Sequence, residues 1–300
     1  VNKLTSAGIH FKFWVADWFG LMNNKMGGDL SKIRTVGEYF IEVWKACGMN
    51  LEHVEFLWAS EHMNQEYWLR VIRIGMLNSV ARIIRCAQIM GRNETDTLSA
   101  AQIFYPCMQA SDIFHLNVDI AQLGLDQRKV NVLAREVAPK LGCTPPIAVH
   151  HHMLLGLLPP KTSATGVDAK IEKKMSKSNP DSAIFMTDSQ EDVQRKFTKA
   201  YCPEGVVEDN PVLEYCKYLI FEKQDSFTIQ RPEKFGGALT FHTYSSLEEA
   251  FVNKEVHPLD LKKAAAHSIN SFLEPVREHF KKDKHAKLLL EKVLSYSVTR

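Results

Sequence analysis

Residues 10–18 read HFKFWVADW, an apolar and aromatic run that predicts a buried β-strand. Residues 29–49 follow with apolar side chains at helical spacing as far as Gly48, and residues 54–57 (VEFL) predict a second short strand. A strand, a helix and another strand in this order indicate a parallel crossover. We therefore predict an α/β fold with a parallel sheet.

The same alternation continues through the first half of the chain and then stops. Further helices are predicted over residues 67–88, 98–109 and 127–141, and short strands over residues 114–116 and 147–149. After residue 185 the apolar spacing is helical only, with a long stripe between Leu259 and Phe280. We therefore expect an α/β domain over residues 1–185 and a helical domain over residues 186–300.

Composition limits the class of protein. The 300 residues are 45% hydrophobic and 24% charged with a net charge of +2, which is typical of a globular protein and makes any anion site local. The six cysteines include no C-x-x-C pair, so we predict neither a zinc site nor a disulfide framework, and we expect a reducing, cytoplasmic environment. No run of about 18 apolar residues is present, so no membrane span is predicted.

The stretch YPCMQASDIFHLNVDIAQLGLDQRK, which begins at Tyr105, carries polar groups that are unusual in a core helix. Tyr105, Gln109 and Asp112 have the spacing of one helix face, although Pro106 fits only near a helix start. Gly124 begins a turn after a strand-like stretch, and open α/β sheets bind ligands at such turns. Packing, capping and solvent exposure remain ordinary explanations for each residue taken alone.

A second polar stretch, residues 171–181 (IEKKMSKSNPD), combines three lysines with two serines and ends in a turn signal. A solvated charge run explains this pattern simply. A mobile loop that holds polyphosphate explains it as well, and the stretch alone leaves both explanations open.

Together these stretches resemble a known family. Lys174 to Ser178 read KMSKS, which resembles the mobile loop of class I aminoacyl-tRNA synthetases. YPxxQxxD followed by DQRK resembles the eukaryotic and archaeal type of tyrosyl-tRNA synthetase. Further matches lie at residues 200–215, 231–237 and 257–264. The resemblance covers essentially the whole chain. It implies a Rossmann-like catalytic domain that ends in the KMSKS loop, followed by an all-α anticodon-binding domain.

The resemblance implies a site for L-tyrosine. The residues that match the family's contacts to the ammonium and carboxylate groups are Tyr105, Gln109 and Gln127. Asp112 would accept a hydrogen bond from the substrate phenol, and phenylalanine would be rejected because it leaves that carboxylate unpaired. Trp14 and Ala16, on the first predicted strand, would form the wall beside the substrate ring.

The resemblance also implies a site for ATP. Gly124 would admit the ligand close to the backbone, Asp126 suits a ribose hydroxyl, and Met153 lies in the HHM segment that matches the adenine side. The loop residues expected at ATP are Lys174, Met175, Ser176, Lys177 and Ser178. Lys174 and Lys177 are the expected catalytic residues, because a loop that closes over departing pyrophosphate stabilises the transition state.

For tRNA(Tyr), the resemblance implies contacts at both ends of the molecule. Arg128 and Arg85 would reach the acceptor end. Phe235, His257 and Asp260 match positions that read the first anticodon base, with Phe235 suited to stacking and Asp260 to a guanine edge. The residues alone explain His257 to Asp260 as a helix cap, and both roles are compatible.

Two further expectations concern metals and assembly. His150, His151 and His152 are adjacent on a predicted strand, so they point to alternate faces and do not form a metal site. Mg²⁺ is expected only as the companion of ATP. Because the family is usually homodimeric, we expect a homodimer that pairs through the apolar helices between residues 70 and 110.

One motif of the family is missing from residues 1–300. Class I synthetases carry a HIGH-like ATP-binding motif after their first strand, whereas Gly8-Ile9-His10 precedes the strand that matches the second. We therefore expect the motif upstream of Val1, together with a tyrosine that shares the substrate hydroxyl with Asp112. Residues 1–300 alone are then expected to activate tyrosine poorly, and ATP–pyrophosphate exchange at the full rate would contradict this.

Two other functions remain open at the level of sequence. One is a tryptophanyl-tRNA synthetase, against which Asp112 and the DQRK form of the turn favour tyrosine. The other is a non-catalytic RNA-binding module derived from a synthetase.

Overall fold

The computed structural model describes residues 1–91, 97–159, 175 and 179–296. The chain forms two compact units, the first from Val1–His152 with Phe280–Arg300 and the second from Met153–His279. This division differs from the one expected at residue 185.

The difference follows from the core that each segment joins. Leu157 lies in the same core as Val193, so the chain leaves the first unit earlier than the sequence predicted. The helix Lys284–Ser295 packs on the helix Leu30–Ala46 of the first unit, where Ala286 is buried. The prediction placed a boundary where the alternating pattern ends, and a purely helical segment gives no sign of which core it joins.

The first unit is built from short strands and the helices that connect them. Its strands are β1 (Phe11–Val15), β2 (Val54–Trp58), β3 (Ile120–Gly124) and β4 (Ile147–His151). Its helices up to β4 are α1 (Asn2–Thr5), α2 (Asp17–Met22), α3 (Leu30–Ala46), α4 (Ala59–His62), α5 (Gln65–Met76), α6 (Val80–Ile84), α7 (Ala100–His115) and α8 (Arg128–Val137).

Both strand pairs of this unit are parallel. β1 pairs with β2 from Phe11 opposite Val54 onward, and α3 lies in the crossover between them. β3 pairs with β4 as far as Gly124 opposite His151, and α8 lies in their crossover. The parallel pairs confirm the predicted α/β fold. They also bring the carboxyl ends of β3 and β4 side by side, so the turn that follows β3 lies next to the end of β4.

Helix α3 lies close against the first strand pair at a glycine. A Cβ atom on Gly37 would lie 2.6 Å from Cη2 of Trp58 and 3.1 Å from Cγ1 of Val15. The first of these distances is far below van der Waals contact, so the absence of a side chain at this position sets how closely α3 approaches the sheet.

Helix α7 is longer and more regular than the sequence predicted. It begins at a capping box in which the Ser99 side chain and the Gln102 backbone N–H are paired, and it continues through Pro106 to His115. The predicted strand at residues 114–116 is therefore wrong, and the strand of this region is β3. A short apolar run has the same appearance at a helix end as in a strand, which explains the error.

The second unit is mainly helical. It contains α9 (Gln190–Lys199), α10 (Pro211–Tyr215), a π-helical turn (Cys216–Ile220), α11 (Phe221–Lys223), α12 (Tyr244–Val252) and most of α13 (Pro258–Lys282). The strands β5 (Phe227–Ile229) and β6 (Leu239–Phe241) pair antiparallel, so the predicted helical domain also carries a short sheet. The final helix, α14 (Lys284–Ser295), belongs to the first unit. In the described part of the chain, no helix is long and apolar enough to cross a membrane.

Candidate active site

The carboxyl group of Asp112 lies on α7 inside the first unit, where the residue is 6% exposed. The hydroxyl of Tyr67, from α5, donates a hydrogen bond to Asp112 Oδ1 over 2.8 Å. The same hydroxyl lies 3.0 Å from the carbonyl oxygen of Met108, one turn earlier on α7. Because Tyr67 is fully buried, this polar contact joins the two helices inside an apolar core.

Burial raises the pKa of Asp112 well above its ordinary value, because the carboxylate loses its hydration in the core. The hydrogen bond from Tyr67 opposes this pKa shift, and the indole of Trp14 opposes it less. Among the described residues, the buried Nε1 of Trp14 has no hydrogen-bond partner of regular geometry, so its contact with the carboxylate is the weaker one. The pKa of the Tyr67 phenol is raised by burial and by the charge of Asp112. Tyr67 therefore stays protonated and able to donate.

Rings line the surroundings of this carboxylate. Trp14, on β1, lies 6.1 Å from the ring of His115 and 6.2 Å from that of His62. Tyr67 packs edge-on against His115 at 5.3 Å. Ala16 follows β1 at the start of α2 and is exposed. The structure thus places Trp14 beside Asp112, whereas Ala16 lies at the N-terminus of α2.

Tyr105 lies about two turns before Asp112 on α7. Its ring packs edge-on against Phe19 at 4.9 Å. Burial raises the pKa of Tyr105 to about 12, and the charges of Asp112 and Asp126 add to the effect. These charges act on the phenol from two elements, α7 and the turn after β3. The structure therefore brings together three of the residues singled out in the sequence.

Two glutamines connect α7 with the turn after β3. The Nε2 of Gln109 donates to Oε1 of Gln127 over 3.0 Å, and the Nε2 of Gln127 donates to the carbonyl oxygen of Ile89 over 3.1 Å. Amide groups both donate and accept, so this pair offers partners to an ammonium and to a carboxylate group. The fold brings Gln109 and Gln127 into contact although they lie 18 positions apart in the sequence.

The turn after β3 forms a polar edge at the ends of the strands. Gly124 ends β3 opposite His151, and a 3₁₀ turn, Leu125–Gln127, leads directly into α8. Arg128 is the first residue of α8 and is exposed. His150 lies close to the same edge, and burial and the charge of Arg128 lower the pKa of its imidazole. An edge of this kind is the usual ligand position in open α/β sheets.

Comparison with known proteins shows the family to which the chain belongs. The model of the tRNA synthetases class I (W and Y) matches residues 1–274. The chain belongs to this class I synthetase family. A curated relative, the cytoplasmic tyrosine–tRNA ligase 1 of Arabidopsis thaliana, is 53% identical over 304 residues, which cover 100% of this chain and 76% of the relative.

Archaeal relatives agree with the plant one. The tyrosine–tRNA ligase of Saccharolobus islandicus (strain M.14.25 / Kamchatka #1) is 41% identical over 307 residues, which cover 100% of this chain and 85% of the relative. The structure of tyrosyl-tRNA synthetase from Pyrococcus horikoshii, complexed with L-tyrosine, has a TM-score of 0.90 at 39% identity and covers 97% of this chain and 83% of its own. The predicted resemblance to eukaryotic and archaeal tyrosyl-tRNA synthetases is confirmed.

Of the KMSKS residues 174–178, the structure describes only Met175. The hydroxyl of Tyr215 donates to the sulfur of Met175 over 3.8 Å, and Met175 packs against the core of the second unit. Met153 also belongs to this unit and is half-buried. The remaining predicted loop residues, which lie outside the described residues, are Lys174, Ser176, Lys177 and Ser178.

The predicted anticodon residue Phe235 is presented to solvent. Its side chain is 61% exposed, and the ammonium of Lys234 lies 5.0 Å from its ring centre. Arg231 connects this loop to the segment before α13, because it donates to the carbonyl oxygens of Gly237 (3.0 Å) and Glu255 (2.7 Å). An exposed ring on a braced loop suits stacking on an unpaired base.

The other two predicted anticodon residues lie at the start of α13. The Nδ1 of His257 accepts from the backbone N–H of Leu259 over 3.2 Å, so the capping explanation of His257 is correct. Asp260 lies in the first turn of α13 and is half-buried. Arg85, predicted at the acceptor end, is exposed at the carboxyl end of α6.

Sequence reasoning missed Tyr67, the residue that holds Asp112. A signal was present: Tyr67, Val71 and Ile74 share a buried face of α5, and a phenol in a buried stripe needs a hydrogen-bond partner. The identity of the partner follows only from the packing of α5 on α7.

Proposed function

We propose that the chain forms the catalytic and anticodon-binding body of a synthetase that activates L-tyrosine with ATP to tyrosyl-adenylate and transfers the tyrosyl group to tRNA(Tyr). The observation that carries the proposal is the buried Asp112 carboxylate, held by Tyr67 and bordered by Trp14 in a chain of this family. The relatives named tyrosine–tRNA ligase support it.

Selection of the amino acid follows from the same carboxylate. A substrate phenol donates to Asp112, whereas phenylalanine buries Asp112 without a partner and tryptophan presents a larger ring. The linked amides of Gln109 and Gln127, with Tyr105 on the same face of α7, would hold the ammonium and carboxylate groups. Their positions leave the substrate carboxylate near the turn after β3, which is the proposed nucleotide side.

In the activation step, the carboxylate of tyrosine attacks the α-phosphate of ATP and pyrophosphate leaves. We propose that Gly124 and Asp126 accept the nucleoside, with Met153 and the loop residues Met175, Ser176 and Ser178 as further contacts. Lys174 and Lys177 are proposed to neutralise the departing pyrophosphate, because positive charge is most effective where negative charge develops. Mg²⁺ is proposed only as the companion of the ATP phosphates. The described residues form no group of three or more His, Cys, Asp or Glu side chains able to hold a metal ion.

For the transfer step, we propose that Arg128 and Arg85 contact the acceptor end of tRNA(Tyr), since both side chains are exposed cations. In the second unit, Phe235 would stack on the first anticodon base, and Asp260 and His257 would lie beside its edge. The loop that carries Phe235 is tied by Arg231 to the segment before α13, which supports a common surface for these three residues.

We also propose a cytoplasmic homodimer. Location is supported by the cytoplasmic relative from Arabidopsis thaliana. Pairing is supported by an exposed apolar surface on the first unit. We call it the α5–α7 surface, and it consists of Leu69, Ile72, Met76, Val80 and Phe104. Contiguous apolar patches on a soluble chain commonly mark an interface.

The test of the amino-acid assignment is calorimetric binding to the 300-residue chain. We expect L-tyrosine to bind more tightly than L-tryptophan and L-phenylalanine, and Asp112→Asn to weaken tyrosine binding by about tenfold or more. Asp225→Asn, at an exposed aspartate of the second unit, is the matched control and should bind tyrosine normally. Tighter binding of L-tryptophan would favour a tryptophanyl-tRNA synthetase. A chain that binds tRNA but none of the three amino acids would favour the non-catalytic RNA-binding module.

A further inference from the structure

We propose that Tyr67 is a positioning residue that fixes one oxygen of Asp112 and so presents the other to the hydroxyl of a phenolic substrate. The inference rests on the proposed function and adds to it a determinant of the choice between tyrosine and phenylalanine. Tyr67 itself need not touch the substrate, because its action passes through Asp112.

The first step of the argument is the use of the two carboxylate oxygens. Oδ1 of Asp112 accepts the hydrogen bond from Tyr67 over 2.8 Å. The Trp14 indole also lies beside this carboxylate, but in the described part of the chain it makes no hydrogen bond of regular geometry to either oxygen. A carboxylate has about four acceptor positions, so the bond from Tyr67 leaves room for a second donor.

The second step is the rigidity of Tyr67. Its side chain is fully buried, and its ring packs edge-on against His115 at 5.3 Å and against Trp68 at 5.6 Å. Its own backbone carbonyl lies 3.5 Å from the hydroxyl of Ser111, on α7. The phenol therefore has no space to turn away, and its oxygen is a fixed point for the acceptor on α7.

The third step is the orientation that the fixed Tyr67 hydroxyl imposes on the carboxyl group of Asp112. The Tyr67 oxygen is 2.8 Å from Asp112 Oδ1 and 3.0 Å from the carbonyl oxygen of Met108. Since these two acceptors lie one helical turn apart on α7, the phenol spans the turn and restricts rotation of the carboxyl plane. When Asp112 is charged, the single proton of the phenol goes to the carboxylate, which is the stronger acceptor.

The consequence is specific to the substrate hydroxyl. L-tyrosine gains a hydrogen bond to an oriented carboxylate, whereas L-phenylalanine has no group that uses it. Loss of the Tyr67 hydroxyl should therefore weaken tyrosine binding much more than phenylalanine binding. A purely structural role of Tyr67 would weaken both amino acids alike, because both fill the same pocket.

The experiment compares Tyr67→Phe with the unmodified 300-residue chain. Dissociation constants for L-tyrosine are measured by calorimetry, and those for L-phenylalanine by displacement. We expect tyrosine to bind about tenfold more weakly and phenylalanine to change by less than about twofold. Tyr244→Phe, at a phenol on α12 of the second unit, is the matched control and should change neither constant.

An equal loss for both amino acids, or no loss for tyrosine, would overturn the inference. If the unmodified chain discriminates between the two amino acids but Tyr67→Phe does so equally well, only the role of Tyr67 fails. If the unmodified chain binds no tyrosine, the proposed function itself fails.

A second comparison keeps the inference testable if Tyr67→Phe alone does not fold. In the Asp112→Asn background the buried charge is absent, so removal of the phenol hydroxyl no longer leaves a carboxylate unpaired. Because Tyr67 acts through Asp112, adding Tyr67→Phe to Asp112→Asn should change tyrosine affinity by less than about twofold. A large further loss confined to tyrosine would show that Tyr67 acts by another route.

Discussion

At the scale of single residues, the site depends on a carboxyl group placed where water cannot reach it. Asp112 is compensated by one strong hydrogen bond from Tyr67 and a weaker contact from Trp14. A substrate hydroxyl would provide a further donor. Asp112 therefore affects both substrate recognition and stability. When it is charged in the free protein, it lacks its best hydrogen-bond donor, which is the ligand, and this lowers the free energy of unfolding.

The first prediction concerns the pH dependence of stability. Because the pKa of Asp112 is raised in the folded state, the folded state retains a proton that the unfolded state releases. The contribution of Asp112 to the free energy of unfolding is thus largest below its ordinary pKa and is lost as the pH rises through its folded-state pKa. Asp112→Asn cannot titrate, so relative to this variant the unmodified chain should lose stability as the pH rises above about 4.

The measurement is urea unfolding followed by tryptophan fluorescence. All five tryptophans lie in residues 1–152, so their fluorescence reports on the first unit. Asp225→Asn should show the same pH profile as the unmodified chain. Parallel profiles for Asp112→Asn and the unmodified chain would contradict the prediction.

At the scale of elements, the position of α3 on the first strand pair depends on a missing side chain. A methyl group at Gly37 would meet the ring of Trp58, and that ring is itself held by the guanidinium of Arg34 at 4.5 Å. Val15 and Trp58 are the last residues of β1 and β2, so this contact packs α3 against the carboxyl ends of both strands.

The second prediction follows from this contact. Gly37→Ala should destabilise the first unit by about 1–3 kcal/mol, because the clash with Trp58 outweighs the better helix propensity of alanine. Gly75→Ala, on α5, is the matched control, since a Cβ atom there would meet none of the described residues within 4 Å. It should stabilise the protein by about 0.5–1 kcal/mol. Urea unfolding measured by tryptophan fluorescence distinguishes the two, and equal effects would contradict the packing argument.

The elements also show how far the sequence alone could lead. The strands β1, β2 and β4 and the helix α3 were predictable because their apolar spacing is regular and their ends carry turn residues. The end of α7 was not, because Phe114 and Leu116 have a spacing compatible with either structure. For the site, the face of Tyr105, Gln109 and Asp112 could be predicted from local periodicity. The bond from Tyr67 to Asp112 could not, because it depends on how α5 packs on α7.

At the scale of the whole molecule, the third prediction concerns assembly. Ile72 and Met76 lie one turn apart on α5 and are 55% and 81% exposed, which is costly for apolar side chains unless a partner covers them. The double substitution Ile72→Glu and Met76→Lys places charges in the α5–α7 surface. We expect it to shift the chain from dimer to monomer in sedimentation velocity.

The matched control for assembly is Leu294→Glu, on α14, which is 73% exposed and lies outside the α5–α7 surface. It should leave the sedimentation coefficient unchanged. A dimer that resists the double substitution but dissociates with Leu294→Glu would place the interface on α14 instead.

The return of α14 to the first unit has a consequence for synthesis on the ribosome. The second unit, Met153–His279, is contiguous and emerges complete before α14 is translated. The first unit begins earlier but must wait for its last helix, so α3 emerges from the exit tunnel with the surface that receives Ala286 and Leu289 still uncovered. This arrangement favours completion of the second unit before the first, against the usual tendency of the earlier part of a chain to finish folding first. Chaperones would encounter this protein while the face of α3 that packs on α14 is still exposed to solvent.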